Sequence, residues 1–430
     1  MARQSAGVRG LLGRVLALER DVLVLSVAMF AFSLSFQMTG RYVPEYLRVL
    51  GAGAGVIGLY GSLGNLLGAL YPYPGGAISD RVGSRTALTA FGVLSTLGFL
   101  LWLVAPRLGE VAVGPLALPG WSWVFVGLAL TQAWNSLGLG ATFAVVKQAT
   151  DPQHLARGFA STETFRRVGF LAGPLLAAGL LAWTPGFRAG FQAVLVVAVV
   201  FAALGTAFQH VLYAAADSVG DSFAGVSQLV ADLRALPSPL RPLLVADTVV
   251  RFANGMVYVF FVIVVTDYLS VSVSAFGVTL RPDAFFGVLL GVEMVVALAT
   301  MLPVARLAER VGLKPVVAVG FAVYALFPAL LISAPADPLV VGALFALSGL
   351  RFAGLPAHKA LIVGPAERDA GGRVTGAYYL LRNVVVIPSA AVGGWLYARD
   401  PQTAFYLASA LGALGVGYFL LRGREFDAYA

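Results

Sequence analysis

The 430-residue chain contains no cysteine, which excludes disulfides, thiol nucleophiles and thiolate metal sites. Its three histidines, His154, His210 and His358, lie far apart, and no His/Cys cluster suggests a metal centre. Charge is scarce as well. Asp, Glu, Lys and Arg make up 12% of the residues, about half the ~25% usual in soluble domains, too few to cover the surface of a soluble protein of this length. No Gly-x-x-x-x-Gly-Lys-[Ser/Thr] phosphate loop is present, so the chain is not expected to hydrolyse ATP itself. Nothing points to a soluble catalytic domain, an enzyme or a cofactor.

What is abundant is apolar sequence: 59% hydrophobic residues and 50 glycines. Stretches of roughly 20 apolar residues recur along the chain, each long enough to cross a bilayer as a helix, and glycine suits close helix packing in lipid. Twelve spans are predicted, over 21–40, 53–78, 86–106, 121–146, 163–184, 188–211, 241–268, 284–307, 315–335, 339–362, 376–397 and 401–421. The first follows Arg3, Arg9, Arg14 and Arg20 and has no clear small-residue cleavage site, so it reads as an uncleaved span. The fold class is therefore an all-α membrane protein. Its expected domains are a six-helix bundle over 1–211, a linker over 212–240 and a second six-helix bundle over 241–430. Within the linker, Phe223 to Leu236 reads as a short amphipathic helix on the membrane surface.

The Lys and Arg distribution sets the orientation. With the N-terminus inside, 21 of the 29 fall on the inner side and six on the outer, and Arg251 and Arg351 lie within spans. That bias places both termini in the cytoplasm, in the inner membrane. Trp102, Trp121, Trp123, Trp183 and Trp395 then sit near outer ends, at headgroup level. The net charge of +8 is read as loop positives facing anionic lipid rather than a nucleic-acid surface.

The two halves repeat. Gly-Ala-Ile-Ser-Asp-Arg-Val-Gly-Ser-Arg at 76–85 lies over Ala-Arg-Leu-Ala-Glu-Arg-Val-Gly-Leu-Lys at 305–314, 229 positions on. Acid (Asp80, Glu309), Arg (Arg81, Arg310), Gly (Gly83, Gly312) and base (Arg85, Lys314) coincide. Residues 138–166 lie over 354–382 at a shift of 216, so Arg157 meets Arg373, Arg166 meets Arg382 and Asn135 meets Arg351. Duplicated membrane halves are a common construction of secondary transporters. Each copy of the turn joins two hydrophobic helices, and its glycine supplies the tight reversal.

This turn resembles the signature loop of the major facilitator superfamily. Gly76, Asp80, Arg81, Gly83 and Arg85 are close to complete; Ala305 and Glu309 make the second copy degenerate. The resemblance implies two six-helix bundles rocking about a central site, with spans 1, 4, 7 and 10 lining the cavity and spans 2, 5, 8 and 11 at the bundle interface. Span five carries Gly169 and Gly173-Pro174, with Ala177 and Ala178 where a final glycine pair would stand. It resembles in part the motif marking the family's drug/proton antiporters. Two readings stand: export by antiport, and a simple packing kink.

Charges within spans are costly unless paired or wetted. Asp247, Arg251 and Asn254 share one face of span seven, Glu293 lies in span eight, and Arg351, His358 and Lys359 lie in span ten. With Asn135, the residues Arg251, Asn254, Arg351 and His358 are candidates for a polar substrate site, and Asp247 and Glu293 for proton coupling. The plainer alternatives are that Asp247 and Arg251 only neutralise each other, that Glu293 is a hydrogen-bonded interface carboxyl, and that His358 lies at headgroup level. Arg166 and Arg382 are read as gate partners of Asp80 and Glu309. The expected function is proton-coupled export of a small molecule by a monomer in contact with lipid. The central positives favour an organic anion as the alternative solute, and a non-transporting receptor or a lipid-acting enzyme ranks behind both.

Overall fold

The computed structural model describes residues 20–113, 116–138, 141–142, 145–146, 155–213, 237–275, 277–363 and 371–425. The expected surface helix at 223–236 and the three arginines before Arg20 lie outside them.

Ten helices are long and apolar enough to cross a bilayer, or up to eleven if the bent pair Ala54–Leu70 and Pro74–Val82 is one span. They coincide with the expected spans: Arg20–Thr39, Ser84–Leu108, Leu155–Trp183, Phe187–Leu212, Pro282–Val311, Leu313–Ile332 and Pro401–Arg422 are continuous. Span four begins as Ser122–Gln132 and passes into a π-turn at Ala133–Leu137; parts of its remainder lie outside the described residues. Proline starts several helices (Pro44, Pro72, Pro282, Pro338 and Pro401), where its missing N–H costs nothing.

The structure adds elements that hydropathy does not signal. A short helix, Val43–Val49, follows span one. Two antiparallel hairpins pair Val111–Val113 with Leu116–Leu118 and Val273–Ala275 with Val278–Leu280. One expectation about the tryptophans is corrected: Trp102 is buried and donates from Nε1 to the Val124 carbonyl, 2.8 Å away. Trp183 and Trp395 are exposed, as an interfacial indole would be.

By contact the chain divides into two compact units that cut across the sequence repeat. One comprises residues 1–40, 70–173 and 192–223; the other comprises 41–69, 174–191 and 224–430. The first packs around Phe32 stacked on Trp134 at 4.2 Å, and the Ser35 hydroxyl donates to the Ala198 carbonyl of span six. The second has an apolar core from spans seven, nine, ten, eleven and twelve that includes Leu243, Val250, Val317, Phe321, Tyr378 and Phe419. It also takes in the first-half residues 41–69 and 174–191. There Gly58 of span two approaches Gly394 so closely that a Cβ on Gly58 would fall 2.4 Å from the Ala390 carbonyl oxygen. Likewise a Cβ on Gly287 of span eight would fall 2.6 Å from the Pro174 carbonyl oxygen of span five. Small residues at helix crossings let backbones meet where lipid provides no hydrophobic drive. These contacts join span two to eleven and five to eight, as the family resemblance leads one to expect.

Candidate functional site

Within the second unit, span seven is not a uniform helix. Arg241–Val257 is α-helical, Tyr258–Phe260 is a 3-10 turn and Val264–Tyr268 a π-turn. Span ten also changes pitch, in a 3-10 turn at Leu350–Phe352. Arg351 sits in that turn, and its repeat equivalent Asn135 sits exposed in the π-turn of span four. Both halves thus depart from α-geometry at the same repeat position. Such departures from α-geometry inside helices are frequent at functional sites.

Around these irregular turns lies a cavity of about 300 Å³. Arg251, Asn254, Tyr258, Tyr324, Arg351 and Arg382 line it, with Asn65 and Asn383. Its charges are held from behind. Asp247, fully buried, receives Arg251 Nε at 3.3 Å on Oδ1; Arg382 Nη1 and the Tyr378 hydroxyl each reach Oδ2 at 3.1 Å. Arg251 Nη1 donates to the Tyr324 hydroxyl at 2.9 Å. Glu293, also buried, accepts from Arg351 Nη2 at 2.5 Å and from the Ser348 hydroxyl at 2.6 Å, with Arg41 Nη2 at 3.8 Å. Arg41 also donates to the Tyr258 hydroxyl. Four arginines therefore share two carboxylates.

The expectation that Asp247 and Arg251 neutralise only each other is corrected, because Asp247 serves Arg382 as well. That same pairing corrects the reading of Arg382 as a gate partner of Glu309: its carboxylate is Asp247, while Glu309 and Arg310 are exposed. Arg166 pairs with Glu163 of its own helix at 2.8 Å, as Arg167 does at 2.9 Å. His358 is buried rather than at headgroup level; its Nε2 lies 3.4 Å from Asp247 Oδ2, behind the cavity rather than in its wall. Asn135 belongs to the other unit.

The repeated turns fold alike. Gly83 has φ 85° and ψ 148°, and Gly312 has φ 91° and ψ 163°, a region essentially reserved to glycine. The base that follows does something the sequence does not reveal. Arg85 Nε and Nη2 donate to the His210 carbonyl at 3.1 and 2.7 Å, at the end of span six. Lys314 Nζ donates to the Leu420 carbonyl at 3.0 Å, at the end of span twelve. Each cation satisfies a carbonyl that the helix end leaves without a partner, at the negative pole of the dipole. Asp80 is half-buried and Arg81 exposed. Gly76 has open space around it, whereas a Cβ on its neighbour Gly75 would lie 2.0 Å from the Leu137 carbonyl oxygen, so Gly75 is the packing glycine.

In span five, Gly169 and Gly173 pack on span one, where added Cβ atoms would meet Ser33 and the Leu34 carbonyl at 2.8 and 2.9 Å. Pro174, the next residue, begins the stretch that belongs to the second unit. At the far end of that stretch, Arg281 Nη1 and Nη2 donate to the Thr184 and Leu181 carbonyls at 2.5 and 2.9 Å, and Arg281 is held by Asp283 at 2.9 Å. The Tyr42 hydroxyl donates to the Asp283 carbonyl at 3.2 Å. Sequence reasoning missed Arg41, Tyr42, Arg281 and Asp283 because they flank spans, where a charge draws no notice.

Comparison with known proteins agrees with this architecture. The family model described as Major Facilitator Superfamily matches residues 23–249 and 243–429. An uncharacterised MFS-type transporter of Methanocaldococcus jannaschii is 22% identical over 94% of this chain and 95% of its own. An uncharacterised MFS-type transporter of Mycobacterium tuberculosis is 27% identical over 38% of this chain and 36% of its own. Among solved structures, a mutant of the nucleoside transporter NupG superposes with a TM-score of 0.72 at 13% identity, over 94% of this chain and 99% of that one. The peptide transporter POT in complex with sulfate gives 0.69 at 14% identity, over 96% of each chain.

Proposed function

The chain belongs to the Major Facilitator Superfamily and is a membrane transporter rather than an enzyme; on that premise we propose that it moves a small solute by alternating access, coupled to protons. The observation that carries this reading is the division of contacts. First-half residues 41–69 and 174–191 pack with the second half, whereas the rest of the first half forms its own unit. Packing of spans two and five on spans eleven and eight within that second unit is the contact a carrier makes when one end of it is closed. The Arg281 clamp on Thr184 and Leu181 and the Gly58–Gly394 and Gly287–Pro174 approaches form the closure. By the Lys and Arg bias this is the outer end, with both termini in the cytoplasm.

Glu293 is our candidate for the proton. Among the described residues it is the carboxylate that stands between Arg351, which lines the cavity, and Arg41, which flanks span one. Protonation removes the charge that holds both, and so links proton occupancy to cavity and closure. Asp247, shared by two arginines, is the second candidate. Export by antiport is the direction we favour, on the partial likeness of the Gly173-Pro174 stretch of span five to the antiporter motif.

Reconstituted vesicles test this. Solute flux is expected to respond to an imposed pH gradient, and Glu293→Gln should abolish that response while solute binding persists. A Glu293→Gln carrier whose flux still follows the gradient would remove this residue from the coupling. Reversing the gradient across vesicles of known orientation decides between export and uptake.

A further inference from the structure

We propose that the cavity of the second unit is a binding site for a small organic carboxylate, held by Arg351 with Arg251 and Arg382. The inference rests on the transporter reading above and deepens it by naming the solute class.

Three observations carry it. First, of the fourteen residues lining the cavity, three are arginines and none is acidic. The two carboxylates of the network lie behind those arginines, and one of them, Glu293, faces Arg41 as well. The network thus holds four guanidinium groups against two carboxylates. A positive surplus held away from water is costly until an anion joins it. A cationic solute would add to that surplus.

Second, Arg351 is only 2% exposed, yet its Nε and Nη1 have no hydrogen-bond partner among the described residues. Only Nη2 is engaged, by Glu293. An arginine fork with one edge unfilled matches a carboxylate, which accepts two parallel N–H bonds. Unpaired buried donors of this kind are rare in folded proteins and call for an explanation. Glu293 shows that a carboxylate oxygen fits against this guanidinium.

Third, the cavity's size and walls restrict the rest of the solute. Its volume of about 300 Å³ is at the lower limit of ligand sites, which run to about 1,000 Å³. That argues against a bulky drug. Asn65, Asn254 and Asn383 offer amides, and Tyr258, Tyr324 and Phe352 offer flat rings. These suit a small carboxylate with a hydroxyl, carbonyl or ring on its body.

The test is thermal stabilisation of the full-length protein in a neutral detergent without added lipid. The probes are lactate, pyruvate, benzoate, nicotinate and shikimate, each beside its primary amide, with inorganic phosphate as a second anion. At least one carboxylate should raise the melting temperature while its amide does not. Arg351→Lys keeps the charge but loses the fork, and should weaken that carboxylate at least about tenfold. Asn254→Ala stands outside the ion-pair network and should weaken it without changing the melting temperature of the unliganded protein. Three results would overturn the assignment: no carboxylate stabilises, amides or phosphate stabilise as well, or Arg351→Lys binds as tightly as the parent. Vesicle flux separates the two readings. Proton-linked flux of a neutral solute would leave the carrier standing without the carboxylate. Carboxylate binding with no flux would leave the site without the carrier.

Discussion

At the scale of single residues, Glu293 and Arg351 define what the fold tolerates. Both are nearly fully buried and lie 2.5 Å apart. Burying two charges is expensive, and the pair persists because each is the other's compensation. Removing one leaves an uncompensated buried charge, at a cost of about 3–5 kcal/mol. We therefore expect Glu293→Leu and Arg351→Met each to destabilise the protein strongly. The double variant should recover most of the loss, as read from denaturation of purified protein. If the double variant is as unstable as the sum of the singles, the two do not act as a pair. These charges were legible in the sequence as anomalies, since an ionisable residue in an apolar run attracts notice. Their partners were not. Asp247 and Arg382 are 135 positions apart, and nothing local tells Arg382 to choose Asp247 over Glu309.

At the scale of elements, hydropathy located the helices, because a bilayer crossing needs a run whose ends are set by polar residues. The repeated turn was legible for a similar reason: glycine followed by a base, twice, has one economical geometry. Gly312 confirms it with φ 91°, and an added Cβ there would also meet Glu425 Oε2 at 2.6 Å. Gly312→Ala should cost about 1–3 kcal/mol of backbone strain, with Gly83→Ala comparable because its φ of 85° is alike. Equal melting temperatures for Gly312→Ala and the parent would show that the turn relaxes at no cost. What remained hidden were the changes of pitch in spans four, seven and ten. They arise from packing between helices, which a periodicity of 3.6 does not encode. The target of the repeated base was hidden for the same reason, since the carbonyls of His210 and Leu420 lie more than a hundred positions from Arg85 and Lys314.

At the scale of the whole molecule, the repeat suggested bundles that break at the linker, while contact places 41–69 and 174–191 with the second half. Sequence symmetry reports ancestry of the halves; contact reports which of them touch in one conformation. The absence of cysteine makes the proposed closure directly measurable. Ala178, buried at 6% exposure beside Gly287, is a suitable position for a single thiol. Ala178→Cys should react slowly with a maleimide, and adding Arg281→Ala, which removes the clamp on Leu181 and Thr184, should speed labelling at least about tenfold. Unchanged labelling would mean that Arg281 does not hold this end shut.

The twin cations at the repeated turns have one more consequence. Span six ends at Leu212, just beyond the carbonyl that Arg85 grips, and the stretch joining the two halves departs from there. Three side chains tie that helix end to its neighbours: Arg85 on the His210 carbonyl, Thr89 on the His210 ring at 3.2 Å and Trp134 on Gln209 at 3.4 Å. A ligand or cut on the connecting segment would accordingly reach the loop around Gly83 through Arg85 and span four through Trp134, so that one event on the tether is felt at two membrane-crossing rods together.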